Sequence, residues 1–106
     1  MQIEKNKMDK NIKQMIEYPQ EGVLSKEIIK DKRLNITLFC MAKNTEISEH
    51  TSTKPGTVYV IEGNGIFNLE GKDIAMQEGV LIHMKENAIH KLKAIENTSF
   101  LLTLFN

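Results

Sequence analysis

The sequence predicts an all-β fold: an antiparallel barrel or two-sheet jelly roll with a short N-terminal helix. From Gly22 onward, short runs rich in Val, Ile, Leu, Thr and Phe alternate with turn residues at the intervals typical of such folds. No helical stretch separates these runs, although parallel strands would need crossover connections of a dozen or more residues. Antiparallel strands hide their edges by closing on themselves. We therefore expect a closed antiparallel body.

The opening segment is the one part of the chain with helical spacing. Met8, Ile12, Met15 and Ile16 recur at the spacing of one helix face, and Asp9 precedes most of them as a candidate cap. Pro19 then ends the pattern. This predicts a short amphipathic helix that packs on its own domain. Residues 1–21 form an N-terminal arm on this interpretation, and residues 22–106 form the barrel domain.

The β-rich part divides into strands at its turn residues. The predicted strands are 23–30, 34–42, 57–62, 66–69, 74–76, 80–84, 89–95 and 100–105. Gly63-Asn64-Gly65 predicts a hairpin, since Asn and Gly both accept positive φ. A second tight turn is predicted at Glu70-Gly71-Lys72.

Composition excludes several classes of function. With 106 residues the chain has room for one domain. Fourteen basic residues balance fourteen acidic ones, which argues against a nucleic-acid partner. No apolar run approaches the ~20 residues that span a bilayer, so we expect no membrane partner. The single cysteine, Cys40, fits a reducing compartment, and a cytoplasmic location is expected.

Histidines are the residues on which a site could be built, because phosphate-binding glycine loops, paired cysteines and H-E-x-x-H are all missing. In a strand, His50 and Ser52 share one face because side chains alternate. Glu46 would share that face too, but it lies about 13 Å away along an extended strand. His83 and His90 are the other two histidines.

The segment from Asn44 to Gly63 resembles the first signature of the cupin superfamily, G-x5-H-x-H-x3-E-x6-G. Asn44 stands at the first glycine, His50 at the first histidine and Ser52 at the second histidine. Gly56 stands at the glutamate, and Gly63 at the last glycine. The loss of the second histidine and the glutamate makes the signature degenerate.

The second cupin signature, G-x5-P-x-G-x2-H-x3-N, fits from Gly79 to Ala94 without a gap. Gly79 and His90 are kept, whereas Lys85, Asn87 and Ala94 replace the proline, glycine and asparagine. Asparagine is among the few residues that tolerate the left-handed conformation expected at such glycine positions. The chain thus resembles small single-domain bacterial cupins over nearly everything after residue 22. The resemblance implies a double-stranded β-helix, the jelly-roll barrel of that superfamily.

In metal-binding cupins, three histidines and one glutamate project into the barrel. By resemblance, His50 and His90 are the retained metal-ligand positions, while Ser52 is a poor ligand and Gly56 has no side chain. Catalytic zinc usually has three protein ligands. A divalent metal such as Fe, Mn, Ni or Zn would need a third ligand, for which His83 is the candidate. The alternative for His83 is a histidine on the exterior of the sheet.

Three functions remain open from the sequence. The first is a small-molecule-binding cupin of unknown ligand, with a pocket at His50, Ser52 and His90 and at most weak metal binding. The second is a metal-dependent enzyme of the isomerase or dioxygenase kind, with His83 as third ligand. The third is a dimeric interaction or regulatory module without a ligand. The resemblance implies a homodimer in every case.

Overall fold

The structure, a computed structural model, describes residues 8–106, so the first seven residues of the predicted arm lie outside the described part. Within that part the chain forms one short helix, α1 (Ile12–Met15), and nine strands. The strands are β1 (Val23–Lys30), β2 (Leu34–Met41), β3 (Glu46–His50), β4 (Gly56–Glu62), β5 (Asn64–Leu69), β6 (Lys72–Gln77), β7 (Leu81–Met84), β8 (His90–Ala94) and β9 (Thr98–Phe105). Eight of them match predicted strands to within two residues at each end, and β3 adds one more.

The strands form two antiparallel sheets that face each other. Sheet A has the order β1-β2-β9-β4-β7, and sheet B has the order β3-β8-β5-β6. Every recorded pairing is antiparallel. The predicted all-β jelly roll is therefore confirmed.

The core between the sheets fills one end of the barrel. At that end the buried side chains are Met41, Val60, Met76, Ile82 and Ala94. They point inward because alternate residues of each strand face the same side. In β8, for example, every second residue is buried. Toward the opposite end the inward residues enclose a cavity, described below.

The left-handed turns occur where the sequence predicts them. Asn44 and Asn87 have φ values of 69° and 64°, so asparagine holds the conformation that glycine usually supplies. At the β5–β6 turn, Leu69 pairs with Lys72, and both residues between them have positive φ. The tight turn predicted there is confirmed.

The hairpin predicted at Gly63-Asn64-Gly65 is wrong. Strand β4 pairs with β7 and β9 in sheet A, whereas β5 pairs with β6 and β8 in sheet B. Gly63 is the corner between them: its φ is 122°, and a Cβ there would lie 2.5 Å from the Thr98 Cα. Glycine is needed because the chain passes close to β9 while it changes sheets.

The N-terminal arm covers part of the outer face of sheet A. Its helix is a single turn capped by Asn11, whose side-chain oxygen accepts the Gln14 N–H at 3.2 Å. The cap is thus Asn11 and not Asp9, and the chain becomes extended at Ile16. So short a helix depends on tertiary packing. In residues 8–106, no helix has the length and hydropathy to cross a bilayer.

Polar contacts at residues 15–18 fix the arm to the sheet. The Tyr18 hydroxyl donates to the Glu62 carboxylate at 2.8 Å, and burial, with that carboxylate, raises the pKa of Tyr18 to about 12. The Lys26 ammonium donates to the Met15 carbonyl at 2.8 Å and pairs with Glu17 at 3.1 Å. The apolar side chains of the arm pack on Leu38, Cys40 and Ile61.

Candidate functional site

Two histidines from neighbouring strands of sheet B meet at the open end of the barrel. His50 ends β3, His90 begins β8, and the two residues are directly paired. Their ring centroids are 4.0 Å apart, with 62° between the ring planes. His90 is only 6% exposed, whereas His50 is exposed at the mouth.

An irregularity in β3 turns His50 toward the interior. Ile47 pairs with Leu92 and His50 pairs with His90, so three steps along β3 match two steps along β8. In a regular strand, residues three apart face opposite sides, but the extra residue of a β-bulge puts both on one face. His50 therefore faces inward with Ile47. The expectation that Glu46 shares the face of His50 is wrong, because Glu46 is exposed and adjoins the inward-facing Ile47.

Backbone hydrogen bonds set the tautomer of both rings. Nδ1 of His50 lies 2.7 Å from the Ser48 carbonyl oxygen, and Nδ1 of His90 lies 3.0 Å from the Ala88 carbonyl oxygen. A carbonyl oxygen only accepts, so each Nδ1 carries the hydrogen. In the neutral rings Nε2 is then a hydrogen-bond acceptor. Within residues 8–106, neither Nε2 makes a side-chain hydrogen bond.

The environment of His90 keeps its ring neutral. Burial lowers the pKa of His90 below its ordinary value of 6.5, and the neighbouring His50 lowers it further. The hydrogen bond to the Ala88 carbonyl raises this pKa, but its effect is smaller than that of burial. At neutral pH the His90 ring is uncharged, and its Nε2 has a free lone pair.

A cavity of about 100 Å³ lies between the two sheets beside these rings. Sheet A contributes five apolar side chains: Phe39, Val58, Met84, Phe100 and Leu102. Sheet B contributes three apolar side chains and the two imidazoles: Ile47, Phe67, Leu92, His50 and His90. The imidazoles are thus the polar side chains of an otherwise hydrocarbon wall.

Aromatic rings line this cavity on both sheets. On sheet A, Phe39 and Phe100 are cross-strand neighbours whose rings stack at 5.1 Å with 7° between planes. On sheet B, the Phe67 and His90 rings stack at 5.7 Å with 3° between planes. The sequence alone favours core or interface packing for Phe39 and Phe67. The structure shows that these side chains also line the cavity.

The two other predicted site residues lie away from the imidazole pair. Ser52 follows β3, its hydroxyl accepts the Lys54 N–H at 3.2 Å, and it is not among the cavity-lining residues of the described chain. His83 is exposed on β7, between the inward-facing Ile82 and Met84. It lines an open surface groove of about 510 Å³, outside the cavity.

The residues present do not fit the metal centre of the cupin signature. Both imidazole rings have the tautomer found in metal-bound histidines, with the hydrogen on Nδ1 and a lone pair on Nε2. However, among residues 8–106 no group of three or more His, Cys, Asp or Glu side chains could hold a metal ion. At the glutamate position, a Cβ on Gly56 would overlap the Thr103 carbonyl oxygen and lie 2.9 Å from a Leu104 methyl. A third ligand therefore has no room at Gly56.

Comparison with known families gives a match over most of the chain. The Cupin domain family profile matches residues 37–105, from within β2 to the end of β9. A search of curated proteins finds no match.

Solved structures with the same fold are numerous. A conserved protein of unknown function from Streptococcus pyogenes has a TM-score of 0.83 and 26% identity, and the alignment covers 92% of this chain and 86% of that one. A cupin 2 conserved barrel domain protein from Leptotrichia buccalis has a TM-score of 0.82 and 23% identity, with 89% and 46% covered. Salicylate 1,2-dioxygenase from Pseudoaminobacter salicylatoxidans has a TM-score of 0.74 and 13% identity, with 78% and 25% covered. At that level of identity the likeness to the dioxygenase concerns the fold.

Proposed function

The chain belongs to the cupin family, and from that premise we propose that it binds a small molecule in the cavity beside His50 and His90. One observation carries the proposal: an apolar cavity in which two imidazoles are the polar side chains, each with Nε2 free of side-chain hydrogen bonds in residues 8–106. Ligand sites are typically apolar concavities with a few well-placed polar groups. Fold alone does not fix function, so the argument depends on this site.

The neutral His90 ring has a defined part in such binding. With Nδ1 bonded to a carbonyl, the ring cannot turn freely, so Nε2 keeps one direction. A ligand hydroxyl or N–H group that reaches Nε2 would satisfy it, and the apolar remainder of the ligand would displace water from the hydrocarbon wall. His50, exposed at the mouth, would contact the part of the ligand that faces solvent.

A thermal-shift screen of small molecules on chelator-treated protein tests the proposal. A ligand at 100 times its Kd adds about 2.7 kcal/mol to the free energy of unfolding, which for a domain of this size raises Tm by on the order of 10 °C. Leu102→Phe places extra volume in the cavity and should abolish the shift. Leu101→Phe makes the same change on the outer face of β9 and should leave it intact. A shift that survives Leu102→Phe and His50→Ala would place the ligand elsewhere and contradict the proposal.

A metal-dependent enzyme of the isomerase or dioxygenase kind is the second candidate. The observation that favours it is the tautomer of the two imidazole rings, which leaves each Nε2 able to coordinate a metal. It would need a third ligand, and His83 points away from the cavity. Elemental analysis of the purified protein separates the candidates. Stoichiometric Fe, Mn, Ni or Zn, lost in His90→Ala, would support the enzyme, whereas full ligand binding by metal-free protein supports the first proposal.

The homodimer, the cytoplasmic location and the ligand-free interaction module stay predictions. A module without a ligand predicts a filled barrel, so the cavity of about 100 Å³ favours the binding protein over it. Both functions are compatible with a dimer.

A further inference from the structure

Building on the proposed small-molecule binding, we propose that the ligand of the cavity is a single uncharged aromatic ring that carries a hydroxyl or N–H donor. Phenol is the simplest member of this chemical class. The ring would lie between Phe39 and Phe100 on one side and Phe67 on the other, and the donor would bond to Nε2 of His90. Volume, wall chemistry and hydrogen-bond polarity each support a part of this assignment.

The volume of the cavity limits the size of the buried group. An apolar protein cavity of about 150 Å³ is large enough to hold benzene. The cavity here, at about 100 Å³, is smaller and partly open at the exposed His50. The buried group can therefore be no larger than one six-membered ring, and any bulky substituent would have to project past His50 into solvent.

The wall favours a planar ring over a saturated one. Phe39 and Phe100 stack in near-parallel planes on sheet A, and Phe67 is parallel to His90 on sheet B. All four rings line the cavity, so a ligand between the sheets meets aromatic groups on both sides. Aromatic pairs in offset or edge-to-face contact gain free energy beyond the area they bury. A flat ring can use these contacts more fully than a puckered one.

The polar groups of the wall select for a donor and against a negative charge. Nε2 of neutral His90 accepts a hydrogen bond, because Nδ1 already holds the ring hydrogen for Ala88. A ligand that brings only an acceptor would leave this nitrogen unpaired. In the described part of the chain the cavity-lining residues include no Lys or Arg, so these residues offer a buried carboxylate no cation to pair with.

Four probes test the assignment on metal-free full-length protein. Phenol has the ring and the donor, anisole replaces the donor hydrogen by a methyl group, cyclohexanol removes planarity, and benzoate replaces the hydroxyl donor by a negatively charged carboxylate. Dissociation constants come from NMR titrations that follow the Leu92 and Leu102 methyl groups. We expect phenol to bind at least about threefold more tightly than anisole or cyclohexanol. Benzoate should bind at least about tenfold more weakly than phenol.

A matched pair of variants tests the role of His90. His90→Phe keeps an aromatic ring beside Phe67 but removes Nε2, so phenol and anisole should bind equally to within about twofold. His83→Phe makes the same change on the exposed side of β7 and should keep the preference for phenol. Should His90→Phe fail to fold, His90→Leu, which also lacks a hydrogen-bond acceptor, must likewise reduce the ratio of phenol to anisole affinity in the same titration.

The outcomes separate this inference from the proposed function. The expected ranking of probe affinities supports both the inference and the proposed function, provided that the phenol-to-anisole ratio is lost in His90→Phe and kept in His83→Phe. Tighter binding of cyclohexanol or benzoate that Leu102→Phe abolishes would overturn the aromatic donor class and leave small-molecule binding intact. An unchanged phenol-to-anisole ratio in His90→Phe would overturn the hydrogen bond to Nε2. Failure of all four probes, together with no hit in the thermal-shift screen, would overturn both.

Discussion

At the residue scale, the site depends on which atoms of the two imidazoles are already bonded. Each Nδ1 donates to a carbonyl two residues earlier in the chain, so the hydrogen-bonding capacity of each ring lies at Nε2. His90 is buried and neutral, while His50 is exposed at the mouth. The two rings therefore differ in role although they are 4.0 Å apart: one gives a fixed acceptor inside, and the other borders solvent.

The pH dependence of stability should report the burial of His90. Because the folded state lowers the pKa of His90, the unfolded chain takes up this proton at higher pH than the folded protein does. Stability should therefore fall as pH drops below the ordinary value of 6.5, and this loss levels off below the folded-state pKa. Urea unfolding between about pH 8 and pH 5 measures it. His90→Gln should remove this component, and His83→Gln should retain it; the same pH slope in wild type and His90→Gln would refute the assignment.

Gly56 should tolerate no side chain, although it stands where metal-binding cupins have glutamate. A Cβ there would overlap the Thr103 carbonyl oxygen, a backbone atom that cannot rotate away. We expect Gly56→Ala to lower the free energy of unfolding by about 1–3 kcal/mol in urea titrations. In the control, Gly71→Asn, the turn is open and asparagine accepts positive φ, so the cost should stay below about 1 kcal/mol. A Gly56→Ala protein as stable as wild type would show that the strands can separate there.

At the element scale, irregular backbone features place the site, and these are the features that sequence patterns did not predict. The strands of the β-rich part follow from apolar runs and turn residues, and asparagine at 44 and 87 correctly predicted left-handed turns. No residue pattern in the sequence predicts the bulge between Ile47 and His50, because the bulge depends on how β3 pairs with β8. The corner at Gly63 looks like a hairpin locally, and only the partners of β4 and β5 show otherwise.

The sequence predicted one part of the candidate site and missed another. The spacing of the two cupin signatures identified His50 and His90, which the structure brings together. It could not identify Phe67 or Phe100 as cavity residues, since core and cavity walls have the same inward alternation in a strand. Whether inward residues fill the barrel or leave a space depends on the packing of nine strands at once.

The N-terminal arm should protect the single thiol. Cys40 is fully buried on the outer face of β2, in a cluster against which the arm residues Ile12 and Ile16 pack. Replacing both isoleucines by aspartate should release the arm and raise the labelling rate of Cys40 by a thiol reagent at least ~10-fold. Gln14→Asp adds a charge to the exposed side of the same turn and should leave labelling slow. Equal labelling rates in all three proteins would mean that the arm does not cover the thiol.

At the scale of the whole molecule, the barrel has a filled end, an open end and one partly uncovered outer face. Leu101, Tyr59 and Leu81 are successive cross-strand neighbours on β9, β4 and β7. Tyr59 is 44% exposed and Leu81 is 64% exposed, beyond the area that the arm covers. Apolar rows of this kind often mark protein–protein contact. This outer face of sheet A is where we place the predicted homodimer contact.

Light scattering tests the homodimer. At micromolar concentration the wild-type protein should have about twice the 12.1 kDa mass of the chain. Leu81→Lys should shift the mass toward that of the monomer, because it puts a charge into the apolar row. Ala75→Lys, on the exposed side of β6 in sheet B, should leave the dimer intact. A monomeric wild type would rule the homodimer out.

The most direct test of the central claim is an isotope-filtered NOE spectrum of the metal-free protein with a small molecule that raises its Tm. Binding in the barrel predicts NOEs from the ligand to Phe67 and Leu102, on opposite sheets, together with a shift of the His90 ring signals. NOEs confined to the surface groove at His83, or a spectrum that needs an added divalent metal before any ligand contact appears, would contradict it.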